Sequence, residues 1–239
     1  LSALDRFFDK YTIKSIKDLR RAIEAENYNE KIVKGLRNFI NFLVDELIID
    51  EGTAALLKRP LKFKRSTPRQ VFITETELRK AYSILTEKFG EEAEILLKLL
   101  VFTGLRLRHL IKMLNNYDPQ NLVVVNEKVA RYPMIAYSKG TKKAFWAYMP
   151  ADFAKELKRM DITYYMAQTR INYKRVSSST IRKWFSNFMA QNKVPMEVID
   201  FIQGRSPRSV LERHYLNMTV LADEAYSGVV DELKKVLEK

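Results

Sequence analysis

Near the end of the chain Tyr215 stands in the run Leu211-Glu212-Arg213-His214-Tyr215-Leu216-Asn217-Met218, and four basic residues precede it in separate segments. They are Arg106 in Thr103-Gly104-Leu105-Arg106, Lys139 in Ser138-Lys139-Gly140-Thr141-Lys142, Arg182 in Ser179-Thr180-Ile181-Arg182, and Arg205 in Gln203-Gly204-Arg205. A phenol is a poor nucleophile at its free pKa of about 10. Cations must therefore neutralise the group it attacks and the charge that grows there in the transition state. The arginine fork, planar and permanently charged, suits a tetrahedral oxyanion. A lysine can give up a proton, so it suits protonating a leaving oxygen. Guanidinium groups, a lysine and one late tyrosine make a set for opening a phosphodiester without a metal.

Composition points the same way. The 239 residues carry 42 Lys and Arg against 29 Asp and Glu, a formal net charge of +13. That balance favours a polyanionic partner such as double-stranded DNA. Residues 58–69 hold six basic side chains (Lys58, Arg59, Lys62, Lys64, Arg65 and Arg69) and no acid, a candidate strap along a phosphate backbone. The chain has no cysteine and two histidines, His109 and His214, so disulfides and thiolate metal sites are excluded. No carboxylate cluster has metal-ligand spacing, and the expectation is a reaction with no metal and no cofactor. No apolar run approaches the ~18 residues of a membrane span, and no signal peptide is visible. The chain opens on Leu1 rather than Met, which reads as a fragment of a longer protein.

The elements that must position these residues are mainly helical, with a small antiparallel β-sheet. Residues 1–57 read as a helical module, in which residues 29–48 carry a broad apolar stripe opened by an Asn29 cap and ended by Asp50-Glu51-Gly52. Lys31, Lys34 and Arg37 share the other side of that helix and are candidates for DNA contact. A linker over residues 58–70 follows, with Pro60 and Pro68 blocking helix. The second domain, residues 71–239, opens on a capping box at Thr74 and Glu77 and continues as a helical block to about residue 114. Strands are expected at Leu122–Val125, Arg131–Tyr137 and Ala144–Met149, with a hairpin turn over residues 138–143. Helix returns from Asp152, ending in an amphipathic stretch over residues 221–237.

In order and wording the four basic boxes and the tyrosine resemble the tyrosine recombinase, or phage-type integrase, family. The resemblance runs along nearly the whole chain, and the order Arg, Lys, Arg, Tyr is more specific than any one box. It implies Arg106, Lys139, Arg182, Arg205 and Tyr215 as catalytic residues, with Ser179 and Lys183 as auxiliaries. It also implies a helical core-binding module joined to a catalytic domain, the two clamping duplex DNA. Two departures stand out. Where the family has an acidic residue three positions after the first arginine, this chain has His109, so the carboxylate that would orient Arg106 comes from elsewhere or is absent. Where the second box has His or Lys, it has Ser179, which brings no charge. Lys174, Arg175 or Lys183 substitutes in space, Arg205 compensates, or the site runs one cation short; as a plain structural residue Ser179 would be a helix N-cap. These departures suggest a divergent branch such as the archaeal virus or plasmid integrases.

The resemblance implies a site-specific recombinase that works through a 3′-phosphotyrosyl intermediate without ATP. It further implies a homotetramer on paired DNA sites, a monomer or dimer when free, and a cytoplasmic place on the nucleoid. A type IB topoisomerase-like relaxation activity and a non-catalytic basic DNA-binding module are the alternatives. The terminal amphipathic stretch either docks on its own domain or, as often in the family, on a neighbouring protomer.

Overall fold

The computed structural model describes residues 2–63, 70–138, 140, 142–205 and 217–237. The chain divides into two compact units, Leu1–Arg69 and Gln70–Lys239. In the first, α1 (Ala3–Lys10), α2 (Ile16–Ala25), α3 (Glu30–Asp45) and α4 (Glu51–Lys58) each start where a side-chain oxygen accepts a backbone N–H. The caps are Ser2, Ser15, Asn29 and Asp50. Asp50 therefore opens a new helix, and α3 has already ended at Asp45. Phe7, Ile23, Val33, Leu36 and Ile40 meet in the core of this unit.

The start of the basic segment is folded rather than extended. Lys58 closes α4, and Pro60 and Leu61 are buried, with Leu61 inside the core of the first unit. The linker read from residue 58 is therefore shorter at its N-terminal end, because an apolar leucine three residues on has a core to enter. Arg59 and Lys62 remain exposed, whereas Lys64, Arg65 and Arg69 lie outside the described residues. On α3, Lys31 is exposed and Lys34 pairs with Glu30 one turn back. Arg37 turns inward: it donates to the Leu61 carbonyl at 3.2 Å and stands 5.5 Å from the Phe63 ring centre.

The second unit is built round one helix. The expected block to residue 114 is three helices, α5 (Glu75–Phe89), α6 (Glu91–Thr103) and α7 (Leu107–Asn115), and Thr74 and Glu77 form the reciprocal cap of α5. Gly90 and Gly104, both at positive φ, make the breaks. Apolar side chains cover most of α6, with Leu96, Leu97, Leu99, Leu100 and Val101 fully buried and Glu94 and Lys98 paired on its partly exposed side. It is a central strut, not a surface helix.

An antiparallel sheet, in order β1 (Val123–Val124), β2 (Val129–Pro133), β3 (Trp146–Pro150), lies on one side of α6. The expected strand Arg131–Tyr137 begins earlier and stops at Pro133; Met134 still donates to the Phe145 carbonyl at 2.9 Å, but its helical backbone turns the chain into a 3-10 turn over Ile135–Tyr137. The chain then runs through α8 (Ala151–Glu156), α9 (Tyr164–Ile171), α10 (Ser178–Gln191), α11 (Met196–Ile202), α12 (Met218–Ser227) and α13 (Val230–Lys235).

The terminal stretch is two helices, and both dock on their own domain. Asp223 of α12 accepts from Arg131 at 2.7 Å and from the Tyr148 hydroxyl at 2.9 Å, while Arg131 also stands 4.3 Å from the Trp146 ring centre. Val230, Leu233 and Val236 are buried in the main core. At the end of α13 the Lys235 carbonyl accepts from Arg79 of α5 at 2.7 Å. Tyr226 is fully buried and donates to the Phe102 carbonyl at 3.0 Å, one of the α6 C-terminal carbonyls that cannot pair within the helix. Tyr226→Phe should therefore cost ~1–3 kcal/mol by stranding that carbonyl, read as a lower urea midpoint at unchanged slope.

Candidate active site

Three arginines from remote segments converge where the C-terminal ends of α6 and α11 meet the β2–β3 connection. Arg106 follows the left-handed turn at Gly104 and forms the N-cap position of α7. The turn is tight: a Cβ on Gly104 would lie 2.4 Å from the Phe185 ring of α10. Arg182 sits in the second turn of α10. That helix is capped by Ser177, whose side chain and that of Thr180 bond each other's backbone N–H. Ser179 is thus not the cap; it is exposed, with its hydroxyl 3.1 Å from the Ser177 hydroxyl.

Backbone carbonyls orient both guanidinium groups. Arg106 Nη1 donates to the Lys143 carbonyl at 3.2 Å and to the Gly204 carbonyl at 3.1 Å. Arg182 Nη1 donates to the Gly104 carbonyl at 2.7 Å and to the Gln203 carbonyl at 2.8 Å. Gln203 and Gly204 are consecutive, so the two cations are seated side by side. The carbonyls point that way because α11 ends in a Schellman turn, with Gly204 N–H bonded to Phe201 O at 2.9 Å and Arg205 N–H to Asp200 O at 2.8 Å. The buried Gln203 side chain locks the turn to α10, donating to the Arg182 carbonyl at 2.8 Å and accepting from Ser186 at 3.0 Å. Each arginine uses one terminal nitrogen, and the rest of its fork makes no hydrogen bond among the described residues.

Among the described residues no carboxylate replaces the one missing from α7: Arg106 is oriented by carbonyls alone, and the buried carboxylate of the cluster, on α11, pairs with Arg205. Asp200, 8% exposed, accepts from Arg205 Nη1 at 2.6 Å. Sequence reasoning passed over Asp200 and Gln203; only the glycine that stops α11 hinted that the residues before it would be turned back into the domain. Burial, then the charges of Arg106 and Arg205, pulls the Arg182 pKa down to about 9, still protonated at neutral pH. Burial followed by Arg205 lowers Arg106. His109 is 4% exposed. Burial first, then Arg106, Arg182, Lys112 and Lys142, pushes its imidazole down to about 4, so it is neutral at pH 7.

The other candidates for the vacant cation position are engaged elsewhere. Lys174, at the tip of a turn and at positive φ, stands 5.6 Å from the Tyr173 ring centre. Arg175 donates to the Phe72 carbonyl and faces Glu77 at 3.4 Å. Lys183 lies 5.5 Å from the Phe72 ring centre. Lys139 and Tyr215 lie outside the described residues, as does His214. The loop that carries Lys139 is closed by Ser138, whose hydroxyl accepts from Ala144 N–H at 3.0 Å.

A family model described as archaeal phage integrase matches residues 70–232. The chain belongs to the archaeal phage integrase family. The tyrosine-recombinase resemblance of the boxes, with its archaeal-virus branch, is borne out by that match. None of the curated proteins matches the chain. Among solved structures, the integrase from mycobacterium phage Brujita is similar at 14% identity and a TM-score of 0.42, over 95% of this chain and 84% of that one. The XerA recombinase is similar at 12% identity and a TM-score of 0.40, over 99% of this chain and 98% of that one.

Two measurements test the integrase domain's geometry. At Gly204, φ is +65° and a Cβ would meet the Lys143 carbonyl oxygen at 2.4 Å. Gly204→Ala should cost more than ~1 kcal/mol, seen as a lower melting temperature. For His109, the unfolded imidazole takes a proton near pH 6.5 while the folded one waits until about 4. The unfolded state thus binds more protons in that window, and stability falls as pH drops from about 6.5 to about 4. His109→Gln should show a shallower acid loss over the same window in denaturant titrations.

Proposed function

We propose that the chain is a site-specific DNA recombinase of the tyrosine type, with Tyr215 as nucleophile. In this reading the Tyr215 phenol oxygen attacks a DNA phosphorus and the P–O5′ bond breaks. A 3′-phosphotyrosyl bond and a free 5′-hydroxyl result. The phenol proton passes to solvent or a neighbouring base, and Lys139 protonates the leaving 5′ oxygen. Arg106, Arg182 and Arg205 stabilise the charge on the non-bridging oxygens. The covalent bond conserves the phosphodiester linkage, so rejoining to a second strand needs no ATP. The first unit serves as the core-binding module. Duplex DNA is the partner, bound along Lys31, Lys58, Arg59 and Lys62, with residues 64–69 continuing the basic track, and two paired sites are held by a tetramer.

The observation that carries the reading is the seating of Arg106 and Arg182 on consecutive carbonyls, each with the rest of its fork uncommitted. Two guanidinium groups brought together without carboxylate partners of their own repel each other. An oxyanion relieves that repulsion, and it takes the place a phosphate would take. Ser179 acts as a hydrogen-bonding auxiliary and Lys183 as a flanking charge.

The test is a nicked duplex carrying the DNA that flanks the element encoding this chain, incubated in EDTA. A covalent protein–DNA adduct should form with the wild type, disappear with Tyr215→Phe, and slow ~100- to 1,000-fold with Arg106→Ala. Two differently labelled duplexes should exchange strands, where a relaxing enzyme would reseal each on itself. A full-strength adduct from Tyr215→Phe overturns the assignment.

A further inference from the structure

Two buried side-chain nitrogens lack a hydrogen-bond partner among the described residues, Arg131 Nε and His109 Nδ1. The first belongs to a guanidinium already paired with Asp223 and packed on Trp146. His109 is different, because its side chain makes no hydrogen bond at all among the described residues. It sits in the first turn of α7, its backbone N–H bonded to the Arg106 carbonyl at 2.9 Å. The charged groups acting on its ring are all cations: Arg106, Arg182, Lys112 and Lys142.

That environment assigns the tautomer. A neutral imidazole carries one N–H and one bare acceptor nitrogen. An N–H at Nδ1 would be buried with no acceptor in reach among the described residues, at full desolvation cost. A lone pair there is favoured by the surrounding positive charge. The proton therefore rests on Nε2. The ring offers a neutral donor at the N-terminus of α7, which has no side-chain cap of its own and favours negative charge.

We propose that His109 is a direct hydrogen-bond donor, through Nε2–H, to the oxyanion held by Arg106 and Arg182. It supplies from α7 the imidazole contact that Ser179 does not supply from α10. The inference rests on the reading of the arginine cluster as a phosphate site. His109 then adds orientation without adding a fourth charge to a cluster of three guanidinium groups and one carboxylate.

The experiment uses inorganic sulfate as probe, on the full chain without DNA, with sodium chloride at equal ionic strength as control. Only two imidazoles are present, so ring-¹⁵N labelling gives two spin systems, and His109→Gln identifies which is His109. Sulfate should shift the His109 Nε2–H resonance and slow its exchange with water, with the midpoint at which sulfate also raises the melting temperature. His109→Leu should weaken that affinity ~10-fold or more, and His109→Gln, which keeps a donor, should recover most of it. An unmoved ring resonance while sulfate stabilises the protein through Arg106 overturns the proposal. So does a His109→Leu variant that binds sulfate as the wild type does. Failure of the recombinase reading looks different: sulfate moves the His109 ring, yet the wild type forms no adduct with DNA.

Discussion

Two half-buried guanidinium groups that rest on backbone carbonyls hold the second unit's fold and its candidate site in one arrangement. Arg182 ties α10 to the end of α6 and the end of α11, and Arg106 ties the start of α7 to the end of α11 and the β2–β3 connection. Four segments remote in sequence are thereby bonded through two side chains. Removing either cation would strand carbonyls that the fold has turned inward, so both side chains serve as structural rivets. The two glycine turns belong to the same device. Gly104 lets α6 end against Phe185, and Gly204 lets α11 end against the backbone at Lys143, approaches that leave no room for a side chain.

Carbonyl seating also sets the electrostatics. A carbonyl orients a guanidinium without cancelling its charge, whereas a carboxylate does both. Against Arg106, Arg182 and Arg205 the described residues set one buried carboxylate, Asp200, paired with Arg205, and the imidazole at position 109 stays neutral under their field. The cluster keeps a net positive charge in a partly desolvated place, where Coulomb interactions are stronger than in water.

Much of this was legible in the sequence for a simple reason. The boxes are contiguous strings, and a glycine followed by an arginine after a fully apolar helix announces both a turn and a cation aimed out of the core. Caps at Asn29 and Thr74 were readable because capping depends on residues within one turn. What depends on tertiary approach was not readable. Asp200 looks like any helical acid until the turn after α11 folds Arg205 back onto it. Ser177, Ser178 and Ser179 are interchangeable as strings, and the reciprocal bond with Thr180 picks Ser177. The length of β2 depended on Met134 turning helical while still bonded to Phe145 across the sheet. His109 was read as a missing carboxylate, since its burial arises from elements far along the chain.

The tail has a consequence for the order in which the molecule becomes itself. Tyr226 reaches back to Phe102, and Arg79, near the start of the second unit, is bonded to the carbonyl of Lys235 near its end. Contacts of such sequence separation form late, because the intervening chain must be ordered before they can reward the entropy of closing it. A nascent chain emerging from the ribosome cannot complete this core until Lys235 is free. The core closes only when α13 arrives.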